Sequence, residues 1–257
     1  MTGLAALLRK EFLESWRTRR LPVAVALFAV IGILSPLTAR YLPEILKAAL
    51  GDQLTVPIPV PTAADSIAQL QKNLGQFGAF TAIALAMGAV ATEKERGTAA
   101  FILTKPASRG AFLGAKLIVL GVVLLIATLV GLIIGWAYTA VLFEPQPIGG
   151  WLAFAELAWL ALMVWVSVTF LASTVLRSMA AAAGLGFAAY VVVTVLAAIP
   201  QVGRFLPAGL DLPASLLALG RLDTVDWATL GTAVAGSLLL IVVMIAASWL
   251  SFRRQEL

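Results

Sequence analysis

Glu93-Lys94-Glu95-Arg96-Gly97-Thr98 opens a charged island that continues through Ala99-Ala100-Phe101-Ile102-Leu103-Thr104 and Lys105-Pro106-Ala107-Ser108-Arg109-Gly110 and ends at Lys116. An apolar run of membrane length lies on each side of it. Gly97 breaks the incoming helix, and Thr98 can cap a new one because its hydroxyl accepts from an orphan N–H. Pro106 stops that new helix after about two turns, since the residue before a proline is pushed out of the α region. Ser108 can then cap the long helix that follows. The expectation is a short helix tipped by Phe101, Ile102 and Leu103 and held just outside a bilayer.

Basic loops are also the ordinary anchors of polytopic proteins, and most charge runs are solvated faces. Two details favour a docking surface. Glu93 and Glu95 fall at a helix C-terminus, where the dipole disfavours acids, and a partner would offset that cost. Phe101-Ile102-Leu103 is an apolar cluster on a loop, a mark of a protein contact.

Working outward, 61% of the 257 residues are hydrophobic, mean hydropathy is +1.00 and only 12% are charged. This is the composition of an integral membrane protein. With no cysteine and no histidine, disulfides, thiolate metal sites, Cys nucleophiles and His-based hydrolysis drop out; no catalytic or metal site is expected. About 20 apolar residues cross a ~30 Å hydrocarbon core. Six such spans are read: Leu21–Ala39, Phe77–Thr92 (extended outward by Asp65–Gln76), Phe112–Phe143, Trp151–Leu176, Met179–Ile199 and Ala228–Phe252. The fold class is therefore all-α and integral to the membrane. Of the 18 Lys and Arg residues, 13 fall at the termini or on loops of the termini's face. The positive-inside rule puts both termini and the island in the cytoplasm, in a multi-pass protein of the inner (cytoplasmic) membrane.

Residues 1–20 lack the cleavage site of a signal peptide. Leu4, Leu8, Phe12 and Trp16 step by four along one helical face, with Lys10, Glu14 and Arg17 opposite. This is either an amphipathic helix in the inner headgroup region or a plain basic anchor for the first span. Arg40–Gln76 reads as the larger outer loop, in which Val56-Pro57-Ile58-Pro59-Val60-Pro61 must be extended. Pro200–Trp227 is too apolar for a solvated loop and reads as short re-entrant outer helices before span six. Gly131-x-x-x-Gly135 and Ala180-x-x-x-Gly184-x-x-x-Ala188 permit close helix packing. Ser167, Thr169, Ser173 and Thr174 either line a path or bond back to their own helix. Phe187 and Tyr190 are candidate pathway contacts or plain packing. Few ionisable groups lie within the spans, which disfavours an ion-coupled carrier. Gly110-Ala111-Phe112-Leu113-Gly114-Ala115-Lys116 has the wrong spacing for a phosphate loop, so the chain does not hydrolyse ATP in the usual way.

The Glu-x-Glu-Arg-Gly-Thr run at 93–98, the apolar hexamer and Pro106-x-Ser108-Arg109 resemble the loop after the second span of ABC-2 (type V exporter) permeases. Gly75-Gln76-Phe77-Gly78 leading into Met87-Gly88-Ala89 is similar to the branch that includes the permease of the nitrous oxide reductase maturation system. The resemblance spans the layout of the whole chain and implies one transmembrane domain over residues 1–257, with an interface helix at 1–20, a coupling region at 93–110 and a re-entrant segment at 200–227. It implies that Glu93, Glu95, Arg96, Gly97, Thr98, Phe101, Ile102 and Leu103 couple to a separate ATP-binding subunit. Two permeases and two ATPases would form the unit. ATP and Mg would sit on the partner, with no cofactor on this chain and no nucleic acid involved. The expected function is outward movement of an amphiphilic or hydrophobic substrate. The alternative is a scaffold that transmits motion to a periplasmic accessory protein in metalloenzyme maturation, without bulk transport.

Overall fold

A computed structural model of the chain describes residues 2–50, 59–97 and 108–255. Helix α1 (Thr2–Arg17) precedes α2 (Arg20–Leu50), α3 (Ala63–Asn73), a π-turn (Leu74–Gly78), α4 (Ala79–Met87) and α5 (Ala91–Glu95). Then come α6 (Arg109–Leu142), α7 (Ile148–Val175), α8 (Met179–Ala197), α9 (Pro200–Gly203), α10 (Asp211–Ala218) and α11 (Trp227–Arg253). Single 3-10 turns occupy Pro207–Leu210 and Leu222–Thr224. No strand occurs among the described residues. Six stretches are long and apolar enough to cross a membrane: Arg20–Ala49, Ala63–Glu95, Arg109–Leu142, Ile148–Val175, Met179–Ala197 and Trp227–Arg253. The all-α, six-span reading of the sequence is borne out.

The connection between the first two spans is much shorter than the expected loop at Arg40–Gln76. α2 continues through Pro36 and Pro43 to Leu50, and α3 already begins at Ala63. An interior proline removes one ladder bond, but neighbouring polar groups restore order here. Ser35 Oγ donates to the Ile31 carbonyl at 2.7 Å and accepts from Asn73 Nδ2 at 2.8 Å, tying α2 to the end of α3. Of the proline-rich run, Val56, Pro57 and Ile58 lie outside the described residues, and Pro59–Pro61 is irregular. The second span does begin earlier, taking in Asp65–Gln76, as its spacing predicts. It is interrupted twice, by the π-turn at Leu74–Gly78 and by a break after Met87. At that break Ser173 Oγ of α7 accepts from both Val90 N and Ala91 N at 3.0 Å, replacing lost ladder partners.

The core is built around α7, where Phe154 and Phe170 are fully buried together with Phe28 of α2, Ile67 and Leu70 of α3, and Ile83 of α4. Glycines set the closest helix contact. A Cβ on Gly32 of α2 would lie 2.2 Å from the Gly131 carbonyl oxygen of α6, and one on Gly131 would lie 2.7 Å from the Phe28 carbonyl oxygen. The Gly131-x-x-x-Gly135 stripe thus packs backbone against backbone. The second stripe does not: Ala180, Gly184 and Ala188 on α8 are exposed, with nothing within 4 Å of a Cβ at Gly184. The stretch from α9 to α10 folds back against α7 and α11, burying Leu210, Ala214 and Leu217. That burial accounts for its apolar composition.

Candidate functional site

Three consecutive residues at the start of the island reach three different parts of the fold. Glu93 Oε1 accepts from Lys116 Nζ of α6 at 2.8 Å and from Lys10 Nζ of α1 at 3.3 Å. Lys94 Nζ donates to the carbonyls of Thr174 and, at 3.3 Å, Leu176, which close the C-terminus of α7. Glu95 Oε1 accepts from Met179 N, the first amide of α8, at 2.9 Å. Lys94 and Glu95 each meet the backbone end their sign favours: an ammonium at helix C-terminal carbonyls and a carboxylate at a helix N-terminal amide. The acids that α5 carries near its C-terminus are therefore offset within the chain. This corrects the expectation that an outside partner is needed to explain them.

Lys116 sits at the centre of this arrangement. It is only 4% exposed and lies between Glu93 and Glu11 Oε1 of α1, the latter at 3.1 Å. Its ammonium also lies 5.0 Å from the centroid of Phe112, which stacks on Phe252 of α11. Lys10 adds contacts to Glu11 at 2.9 Å and Glu14 at 3.3 Å. Burial alone would raise the Glu11 carboxyl, but Lys116 and Lys10 outweigh it and hold the group below the usual carboxylate range. Burial likewise opposes charge on Lys10, yet its carboxylate neighbours raise it above the ordinary lysine value. On the far side of the island Ser108 caps α6, its Oγ accepting from Ala111 N at 3.1 Å. Arg109 Nη1 donates to the carbonyls of Phe252, Arg253 and Gln255 at 3.0 Å each.

Both flanks of residues 98–107 are thus clamped into the helical body. Gly97 has φ of 68°, a left-handed conformation that glycine adopts without a Cβ penalty, and Arg96 beside it is exposed. Thr98, Phe101, Ile102 and Leu103 lie outside the described residues. Of the predicted face on α1, Leu4, Phe12 and Trp16 are exposed, while Leu8 packs against the core. The side of α1 turned to the protein carries Glu11 and Ser15, both buried. Sequence reading missed this, although an acid and a serine four apart in a basic segment were the available signal.

The four candidate pathway residues part company. Ser167 and Thr174 are fully buried and donate to their own helix, to Val164 O and Phe170 O at 2.8 Å each. The back-bonding alternative describes the bonds they make. Phe187 faces a groove of about 780 Å³ between α2, the second span and α8. That groove is apolar along Val23, Leu27 and Phe80 and carries Arg19 and Arg20 at the mouth nearest α1. Tyr190 lies beside it, 5.3 Å from Phe80 and 5.1 Å from Trp165 between ring centroids. The Tyr190 hydroxyl donates to Gly75 O of the π-turn at 3.3 Å and borders a second cavity, of about 280 Å³, next to Asp211. Burial pushes the Asp211 carboxyl up to about 6, against a smaller opposing effect of its bond from Gln71.

Residues 5–257 match the family model described as ABC-2 family transporter protein. The chain is also similar to an uncharacterized transmembrane protein of Bacillus subtilis (strain 168), YxlG. The two are 28% identical over 262 residues, which cover 100% of this chain and 99% of that protein.

Proposed function

The chain belongs to the ABC-2 family of transporter proteins, and from that premise we propose that it is the membrane half-subunit of an ATP-driven exporter of amphiphilic or hydrophobic molecules. ABC-2 permeases generally pair with ATP-binding subunits, and in this reading such a subunit, in two copies, docks on residues 93–110 and carries ATP and Mg. A second copy of the permease completes the unit. The whole chain acts as one transmembrane domain, with both termini and the island in the cytoplasm, as its 13 lysines and arginines on that face favour.

The observation that carries the reading is the clamp at Glu93, Lys94 and Glu95. A displacement of the island reaches α1, α6, α7 and α8 through contacts of 2.8–3.3 Å. The groove supports the choice of cargo. Its walls suit acyl or aromatic groups, and Arg19 and Arg20 at its mouth suit an anionic head. The exposed stripe Ala180, Gly184 and Ala188 supports a homodimer through α8.

The test is flux. The permease, co-purified with its ATPase and reconstituted into vesicles, should move a member of a lipid and drug panel only with hydrolysable ATP. ATP turnover without flux of any panel member, combined with ATP-dependent change in a bound periplasmic protein, would replace the exporter by the scaffold reading. Sodium efflux would contradict both.

A further inference from the structure

The 280 Å³ cavity behind α10 has a chemistry different from the apolar groove. Asp211, Gln71, Gln76 and Thr194 bring polar groups to it, and Trp165 and Tyr190 supply aromatic walls. Gln71 Nε2 donates to Asp211 Oδ1 at 2.6 Å, which fixes the amide orientation: its Oε1 is the remaining acceptor. That Oε1 is buried and has no hydrogen-bond partner among the described residues. A half-buried carboxylate and a buried amide oxygen therefore sit on adjoining groups, and a further donor would satisfy both. The π-turn Leu74–Gly78 borders the same cavity through Leu74, Gly75 and Gln76, and such irregular turns gather at functional sites.

We propose that this cavity is a binding site for a primary ammonium group, which donates to Asp211 and to Gln71 Oε1 while Trp165 and Tyr190 flank it. The choice of chemistry follows from the acceptors. A primary ammonium carries three N–H donors and a positive charge, so it satisfies both oxygens, and aromatic walls favour a cation near them. A quaternary ammonium would suit the rings but leave Gln71 Oε1 unpaired. A metal ion needs more oxygen ligands, and no group of three acidic, Cys or His residues occurs among the described residues. Lys72 stands at the rim, is exposed, and forms no ion pair with Asp211 among the described residues, so it does not fill the role. An aminophospholipid head and a soluble amine present the same group.

The experiment uses the full-length chain in nanodiscs of phosphatidylglycerol, titrated calorimetrically with n-butylammonium at pH 7.5. Saturable one-to-one binding is expected. Asp211→Asn keeps the size and the Gln71 bond while removing the charge, and should weaken binding about tenfold or more with the thermal unfolding transition retained. Tetramethylammonium should bind more weakly than n-butylammonium. Adding phosphatidylethanolamine to the nanodiscs separates the sources. Competition that weakens n-butylammonium identifies a lipid head as an occupant, and unchanged affinity identifies a soluble amine. Absence of saturable binding, equal binding by the Asp211→Asn protein, or tighter binding of tetramethylammonium would overturn the proposal. Trp165→Leu is a second variant, expected to weaken n-butylammonium less than Asp211→Asn does. The site does not depend on the exporter reading, since binding is measured with no ATPase present.

Discussion

Lys116 Nζ lies 2.8 Å from Glu93 Oε1, so a part-buried ion pair joins the two ends of the island. Two apolar spans converge there, and water is largely excluded from the ammonium, which is 4% exposed. A pair of this kind adds little over a well-packed apolar substitute, but losing one partner strands the other.

The Lys116→Met protein is therefore expected to lose about 3 kcal/mol of stability, because Glu11 and Glu93 lose the buried ammonium that lies between them. Lys116→Arg should recover part of that loss, limited by the fit of the larger guanidinium. Unfolding in mixed micelles with increasing denaturing detergent reads both. A Lys116→Met protein as stable as the parent would show that the cluster is solvated and not structural.

Asp211 makes a prediction about pH. Its carboxyl is pushed up to about 6 in the folded protein from an ordinary 3.8, so the folded state holds the proton more tightly than the unfolded chain. Stability then falls as pH rises from about 4 to about 6, by about 3 kcal/mol at most for this residue. Glu11 runs the other way: it is held low, so its stabilisation is present above its ordinary value of 4.5 and is lost as pH falls below it. Asp211→Asn should raise the unfolding temperature at pH 7.5 and leave it nearly unchanged at pH 4.5. An Asn variant less stable at pH 7.5 would mean that a bound cation already neutralises the site.

Six spans were legible in the sequence because each is an apolar run bounded by charge or proline. Gly97 and Ser108 were legible too, since a left-handed turn and an N-cap depend on local chemistry. The length of α2 was not, because the apolar run of the first span gives way to charge at Arg40 although the helix continues to Leu50. Glu11, Lys116 and the Gln71–Asp211 pair stand 105 and 140 positions apart from their partners. Such pairings are tertiary facts with no periodicity to announce them. The buried Ser167 and Thr174 carry the same lesson: polarity on a span leaves open whether a hydroxyl faces a path or its own carbonyls.

The two glycine stripes should answer differently to added bulk. Gly131→Ala forces a methyl against the Phe28 backbone and should destabilise the fold by about 1–3 kcal/mol. Gly184 has open space around it, so Gly184→Leu should leave the protomer's unfolding unchanged. If α8 is the homodimer contact, that variant should instead abolish crosslinking between copies in native membranes. Crosslinked dimers persisting in Gly184→Leu would move the interface elsewhere.

Phe101 is the proposed point of contact with the ATPase, and its truncation separates docking from folding. The flanks of the island are fixed by Glu93, Lys94, Glu95 and Arg109, none of which the described contacts route through Phe101. Phe101→Ala should therefore insert and unfold like the parent. An aromatic anchor in a partner's groove is worth about 2 kcal/mol or more, so association with the ATPase should weaken about thirtyfold, or substrate should cease to stimulate hydrolysis. Glu95→Gln is the complementary variant, loosening the contact with Met179 N while leaving the apolar tip intact. It should preserve association and reduce stimulation, since the load would reach α8 less directly. Unchanged association and stimulation in Phe101→Ala would place the docking surface outside the island.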